Sequence, residues 1–224
     1  MDDNTISFRY SAFTYKFSFL NTISNVRAFY PTENIFVYLD DNRKDLDFYK
    51  IVSKKYNLNI VLTKNHVTYI HRDEPLESVW PKSLERFRRI LHCAENCNTK
   101  WIISLEDDVQ LRRKLINFPK SDFGTNRENI GFVGGGGIMK ASTVKEVLNK
   151  ITLDELYELH YQRKDTIAWA TDAMLRVVFS QYNCTKEKWV ELAEPDYYDD
   201  TDYGIFHGCK ILHELDNFNK TIKL

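Results

Sequence analysis

Three carboxylates stand side by side in WIISLEDDVQL, residues 101–111, where Glu106, Asp107 and Asp108 directly follow an apolar run. Side chains alternate along an extended segment, so Glu106 and Asp108 are expected on one side and Asp107 on the other. Two like charges on one side repel each other, unless a hard divalent cation such as Mg²⁺ or Mn²⁺ takes both as oxygen ligands. Such an ion can also hold a diphosphate. The competing reading is a solvated acidic turn, and the clustering of carboxylates at a strand end weighs toward the ion site. A second pair, Asp40-Asp41, closes IFVYLDD in the same way. One such pair is an ordinary strand-ending turn; two at the same sheet edge favour a site.

The glycine run in IGFVGGGGIMKAS, residues 130–142, invites comparison with phosphate loops. GxxxxGK[ST] fails, because Met139 precedes Lys140 and Ala141 follows it, and GxGxxG fails in every register. Bare backbone there offers either close approach to a ligand or a simple bend or bulge.

The elements that must position these groups alternate between short apolar runs and longer periodic ones, which predicts a single α/β domain spanning residues 1–224, a Rossmann-like central mostly parallel mixed sheet flanked by helices. Strands are expected at 6–13, 35–39, 59–62, 101–105, 131–133, 189–192 and 204–207. The best helix follows Pro75, with Leu76, Trp80, Leu84, Phe87, Leu91 and Ala94 on one face and Lys82, Arg86 and Arg89 on another. Ser142 is a candidate cap for a helix through Leu148, Thr152-Leu-Asp-Glu155 has capping-box spacing, and Asp165 or Thr166 is expected to begin a helix running to about Gln181. In an open α/β sheet the ligand crevice lies beyond the carboxyl ends of the strands, where both acidic pairs fall.

Composition excludes several classes. The 31 Lys+Arg nearly balance the 32 Asp+Glu, so the basic excess of a nucleic-acid binder is absent. The start MDDN is acidic where a secretory signal is basic, and charges such as Arg9 and Lys16 interrupt the apolar stretches before membrane-spanning length, so a cytoplasmic protein without a transmembrane segment is expected. Four cysteines are too few for a disulfide scaffold, and Cys93 and Cys97 lack partners for a zinc site. EPDYYDDTDYG, residues 194–204, reads as an exposed, turn-rich acidic loop.

The order of these motifs resembles the GT-A fold glycosyltransferases, which use nucleotide-sugar donors, over most of the chain. LEDDV is similar to the metal-binding DxD element of that family, and especially to the LEDD form of lipopolysaccharide-type glycosyltransferases. The resemblance implies Mn²⁺ or Mg²⁺ held by Glu106 and Asp108, with the lengthened Glu106 standing where the family has Asp. It implies Asp40 at the nucleobase and pocket residues drawn from Phe8, Arg9, Tyr10 and Ser11. Asp107, Lys82 and Arg86 join Arg9 as expected contacts of a UDP- or GDP-sugar.

Further along, GGGGIMKA resembles the glycine-containing strand on the acceptor side, and ATDAML the segment whose carboxylate, here Asp172, serves inverting members as general base. A first-turn carboxylate favouring the helix dipole is the other reading of Asp172. IFHGCK resembles the late element that supplies a histidine to the metal, here His207, with Lys210 as a phosphate contact at compressed spacing. The alternative for His207 is a structural histidine.

The implied activity is transfer of a sugar from the nucleotide-sugar to a glycan, glycoprotein or other hydroxyl acceptor. The chain is short for this fold and is either the whole enzyme or one module of a longer polypeptide. Two other classes use the same residues: a nucleotidyltransferase or other metal-dependent phosphoryl-transfer enzyme, and a non-catalytic nucleotide-sugar-binding module.

Overall fold

A computed structural model of the chain describes residues 4–11, 16–64, 74–125, 135–162, 171–193 and 203–208, with the side chains of 171–173 left aside. The elements are β1 (Ile6–Ser11), α1 (Lys16–Phe29), β2 (Ile35–Asp40), α2 (Leu46–Tyr56), β3 (Asn59–Thr63), α3 (Leu76–Asn96), β4 (Trp101–Leu105), β5 (Val109–Leu111), β6 (Phe123–Thr125), β7 (Ile138–Lys140), α4 (Ala141–Lys150), α5 (Leu153–Tyr161), α6 (Thr171–Gln181), β8 (Lys186–Lys188), β9 (Leu192–Ala193) and β10 (Ile205–His207).

The main sheet has the order β3-β2-β1-β4-β7-β6-β8. β1 runs parallel to both β2 and β4, β2 to β3, and β6 to β8, whereas β7 is antiparallel to β4 and β6. Helices cover both faces, which is why β2 and β4 read as near-continuous apolar runs. On one face Phe8, Tyr10, Ile35, Val37, Leu39, Trp101, Ile103 and Leu105 pack against Phe19, Ile23 and Val26 of α1 and Tyr49 and Val52 of α2. On the other, Phe36, Tyr38, Ile102 and Met139 meet Phe87, Ile90 and Cys93 of α3 with residues of α4, α5 and α6. A small sheet, β5-β10-β9, lies after the acidic turn.

β1 connects through α1 to β2 on one side, while α3 carries the chain across to β4 on the other. The strand order therefore reverses between β1 and β4, the place where such sheets open a crevice.

Most expected elements are present, with corrections that have local causes. The first strand stops at Ser11, and 12–15 lie outside the described residues, as do the strand expected at 131–133 and the helix start expected at Asp165 or Thr166. The run 189–192 is a turn flanked by β8 and β9 rather than one strand, because the Trp189 carbonyl accepts from Leu192 N–H at 3.1 Å and closes the chain on itself. Ser142 lies inside α4, whose cap is the extended Lys140 leading straight off β7. Thr152 forms the full capping box with Glu155. Arg89, expected on the outer face of α3, is 3% exposed, drawn inward by carboxylates described below. Cys93 and Cys97 are buried and unbridged. Among the described residues no helix is long and apolar enough to cross a membrane.

α5 is fastened to α3 by a buried histidine. His160 Nδ1 is 2.7 Å from the Leu156 carbonyl, which can only accept, so Nδ1 carries the proton and Nε2 accepts from Ser83 Oγ at 2.6 Å. Burial pulls the His160 pKa below its ordinary 6.5. The unfolded chain then binds more protons than the native one below about pH 6.5, so stability falls as the pH drops from there toward the folded value. We expect the melting temperature to decline more steeply between pH 7 and 5.5 in the wild type than in His160→Gln; equal slopes would remove His160 as the source.

Candidate functional site

β4 ends at Leu105, and the chain turns sharply, with Val109 N–H donating to the Glu106 carbonyl at 3.2 Å. The turn, rather than the alternation of an extended strand, separates the three acids. Asp107 points into the protein, 5% exposed, and accepts a buried hydrogen bond at Oδ1 from Tyr10 of β1. Glu106 and Asp108 project together toward His207, whose Nε2 lies 3.7 Å from Glu106 Oε2 and 3.5 Å from Asp108 Oδ1. His207 reaches them because β10 pairs with β5 in a register that sets it opposite Val109.

The trio offers one donor atom each, all within 4.8 Å of one another. Opposed donors around an ion with bonds of about 2.1 Å stand about 4.2 Å apart, so only slight contraction is needed. Two carboxylates and an imidazole fit Mn²⁺ better than Mg²⁺, which is harder and prefers an all-oxygen octahedron. Room for the trio comes from the glycine run. A Cβ on Gly135 would stand 2.6 Å from the His207 ring and 3.0 Å from Glu106 Oε2, and Gly136 has φ +77°, a conformation that favours glycine. The segment is anchored to the strand beside it, with Gly136 N–H donating to the Ser104 carbonyl at 2.7 Å and Ser104 N–H to that of Gly137 at 2.9 Å. The glycines are thus a close-approach device at this site.

Charge around Glu106 is balanced from the protein side. Burial would raise its pKa, but the His207 imidazole beside it, followed by the charges of Arg86 and Arg9, outweighs it and holds the carboxyl below its ordinary value. Arg9 lies on the α3 face of the sheet, 6% exposed, with Nη1 donating to Ser104 Oγ at 3.0 Å and Nη2 to Ser11 Oγ at 3.2 Å. Its buried Nε has no hydrogen-bond partner among the described residues, and burial lowers its pKa.

The other expected residues are placed as follows. Asp40, ending β2, accepts at Oδ1 from Arg89 Nη2 at 2.7 Å, and Arg89 also donates to Thr63 Oγ1 and lies 3.5 Å from Glu85. Lys82 pairs with Glu74 at 2.5 Å, while Arg86 is half-buried one helical turn further along α3. Asp172 falls in the first turn of α6, with its side chain outside the described set. Lys210 and residues 194–202 of the acidic loop lie outside the described residues. The structure therefore gathers Glu106, Asp108 and His207, sets Arg9 and Arg86 within electrostatic reach, and turns Asp107 away. The sequence named Tyr10 as a pocket residue and the glycine run as a close approach or a bend, but the contacts that Tyr10, Ser104 and Gly135 make lie across long sequence separations and were not legible from spacing.

With this geometry in view, the chain was compared with known proteins. No protein-family model matches, and no curated protein matches by sequence. Among solved structures, the galactosyltransferase LgtC in complex with donor and acceptor sugar analogues is similar, with TM-score 0.62 and 12% identity over 95% of each chain. An active-site mutant of LgtC gives TM-score 0.61, again at 12% identity and 95% coverage of each chain. The fold is that of LgtC, a GT-A glycosyltransferase fold.

Gly135 supplies a direct test of the crowding around His207. Gly135→Ala should displace the imidazole and weaken Mn²⁺ binding by about tenfold, the scale of lost support around a ligand, with the circular dichroism spectrum unchanged. Calorimetric affinity equal to wild type would show that the segment can yield.

Proposed function

We propose that the protein is a metal-dependent glycosyltransferase that moves a sugar from a nucleotide-sugar donor to a hydroxyl group of a glycan or glycoprotein. The observation that carries this reading is the convergence of Glu106, Asp108 and His207 at the end of β4, beside the point where strand order reverses. The likeness to a galactosyltransferase over 95% of both chains supports it.

Glu106, Asp108 and His207 would hold Mn²⁺ or Mg²⁺, which supplies positive charge to a diphosphate leaving group. The chain's own residues do the rest. Glu106 is kept ionised by its neighbours, so it remains an acceptor-only ligand near neutral pH. Arg9 and Arg86 extend the positive field next to the trio, where the donor phosphates belong in this reading, and Lys82 stands one turn from Arg86 on α3. Asp40, oriented by Arg89, is assigned to the nucleobase, because a fixed carboxylate accepts hydrogen bonds from ring N–H groups. Asp107 acts on the donor only through the shape of the turn. Asp172 is assigned the proton of the attacking hydroxyl, and Lys210 a phosphate. The chain works as one domain in this proposal, alone or as a module of a longer polypeptide.

The decisive experiment is thermal shift against a panel of UDP-, GDP- and other nucleotide-sugars, with Mn²⁺ and with EDTA. One donor at about 100 times its Kd should add about 2.7 kcal/mol of stability, a rise of roughly 5–10 °C for a chain of this size, only with the metal. Stabilisation by no donor would sink the reading. Two variants separate its parts. Asp108→Asn should abolish metal-dependent donor binding in a folded protein. Asp172→Asn should keep donor affinity and lose transfer by about 10²-fold; transfer at the wild-type rate would remove it from the role. Product analysis separates sugar transfer from attack at phosphorus, and binding without turnover would identify a non-catalytic module.

A further inference from the structure

The acidic turn is held by a contact that the proposed chemistry does not use. Tyr10 is fully buried on the α1 face of the sheet, its ring edge-on to Phe19 at 5.0 Å between centroids, and its hydroxyl donates to Asp107 Oδ1 across a sequence separation of 97 residues. Burial, and then the charge of Asp107, push the Tyr10 pKa well above its ordinary value, so the hydroxyl stays a donor. Asp107 is the middle of three consecutive acids. Its two neighbours point the other way, toward His207.

We propose that Tyr10 is a positioning residue for the ion site: by holding Asp107 inward, it fixes the β4–β5 turn so that Glu106 and Asp108 present their carboxylates together to His207. The proposal rests on reading those three residues as ion ligands. Three features of the contact support it. First, Tyr10 is itself well fixed, because β1 pairs with β4 in a register that sets Tyr10 opposite Leu105, the last residue before the turn. Second, both ends of the bond are buried, so no water competes to redirect Asp107. Third, the opposite face of β1 does the complementary task, since Arg9, one residue earlier, holds Ser104 and adds its charge near Glu106. Consecutive residues of one strand thus grip the end of β4 from its two faces. A phenol that donates to a buried carboxylate in this way orders ligands it never touches, as outer partners of metal ligands do.

The test is a double-mutant cycle read as Mn²⁺ affinity by calorimetry on the folded full chain, with circular dichroism and melting temperature recorded for each variant. Tyr10→Phe removes one oxygen and keeps the ring, so the core contact with Phe19 survives. It should weaken Mn²⁺ binding about tenfold, and Asp107→Ala should do so by at least as much. Tyr10→Phe/Asp107→Ala should be no weaker than Asp107→Ala alone, because both changes break the same bond. A purely structural tyrosine would lower the melting temperature while leaving the affinity of the folded fraction unchanged. Wild-type affinity in Tyr10→Phe, or losses that add in the double variant, would overturn the positioning role while leaving the ion site intact. A wild-type protein that binds no Mn²⁺ would instead overturn the ion-site reading, and the positioning role with it.

Discussion

Like charges crowded at one strand end set the terms for everything around them. Two carboxylates 4–5 Å apart repel by about 4 kcal/mol at an effective dielectric of about 20, and this chain places three acids in succession after a fully buried strand. The structure divides them. Asp107 goes inward to the neutral phenol of Tyr10, while Glu106 and Asp108 face His207, with Arg9 and Arg86 close enough to act on Glu106. That leaves two carboxylates on the exposed side whose remaining mutual repulsion a cation would relieve. The small sheet serves this end, because its β10 carries His207 into place, and Gly135 leaves the space that a methyl group would fill.

The same constraint explains why the group sits between β1 and β4. These strands are adjacent but belong to crossovers that depart in opposite directions, which is where such sheets open a crevice beyond their carboxyl ends. A group placed there can be gripped from both faces of the sheet and still meet a ligand. Tyr10 and Arg9 provide the two grips, one into the core beneath α1 and one beneath α3. An arginine buried on neutral hydroxyls is unfavourable taken alone; beside a carboxylate cluster its field offsets part of the charge.

How much of this was legible in the sequence follows from the range over which each signal acts. β2 and β4 were readable because burial on both faces makes them near-continuous apolar runs, and the turn was readable because three acids in a row stand out from the apolar strand before them. α1 was missed because its buried face mixes Ser18 and Thr22 with Phe19, Ile23 and Val26, which blurs the helical period. α2 buries only Tyr49 and Val52 and leaves Ile51 exposed. β5, β6 and β7 have three residues each, too few for any periodicity. Glu106 and Asp108 were paired from the sequence and His207 joined them through the resemblance; the structure brings the three side chains together, by a turn where a pleat was expected. The inward turn of Asp107 and the burial of Arg89 were not legible, because each depends on a partner, Tyr10 or Asp40, far away along the chain.

The second acidic pair bears on which chemistry the site suits. A two-ion phosphoryl transfer needs carboxylates shared between cations about 4 Å apart, and Asp40 closes the other acidic strand end at this sheet edge. In the structure Asp40 is turned to Arg89, a guanidinium that also holds Thr63 and approaches Glu85. A cation bound there would face a buried positive charge. Among the described residues, the one cluster that could hold a metal is Glu106, Asp108 and His207. A single ion beside basic side chains suits neutralisation of a departing diphosphate, with the bond broken at the sugar carbon. Asp40 held by arginine, and a single candidate ion cluster among the described residues, suit the proposed sugar transfer better than two-ion attack at phosphorus.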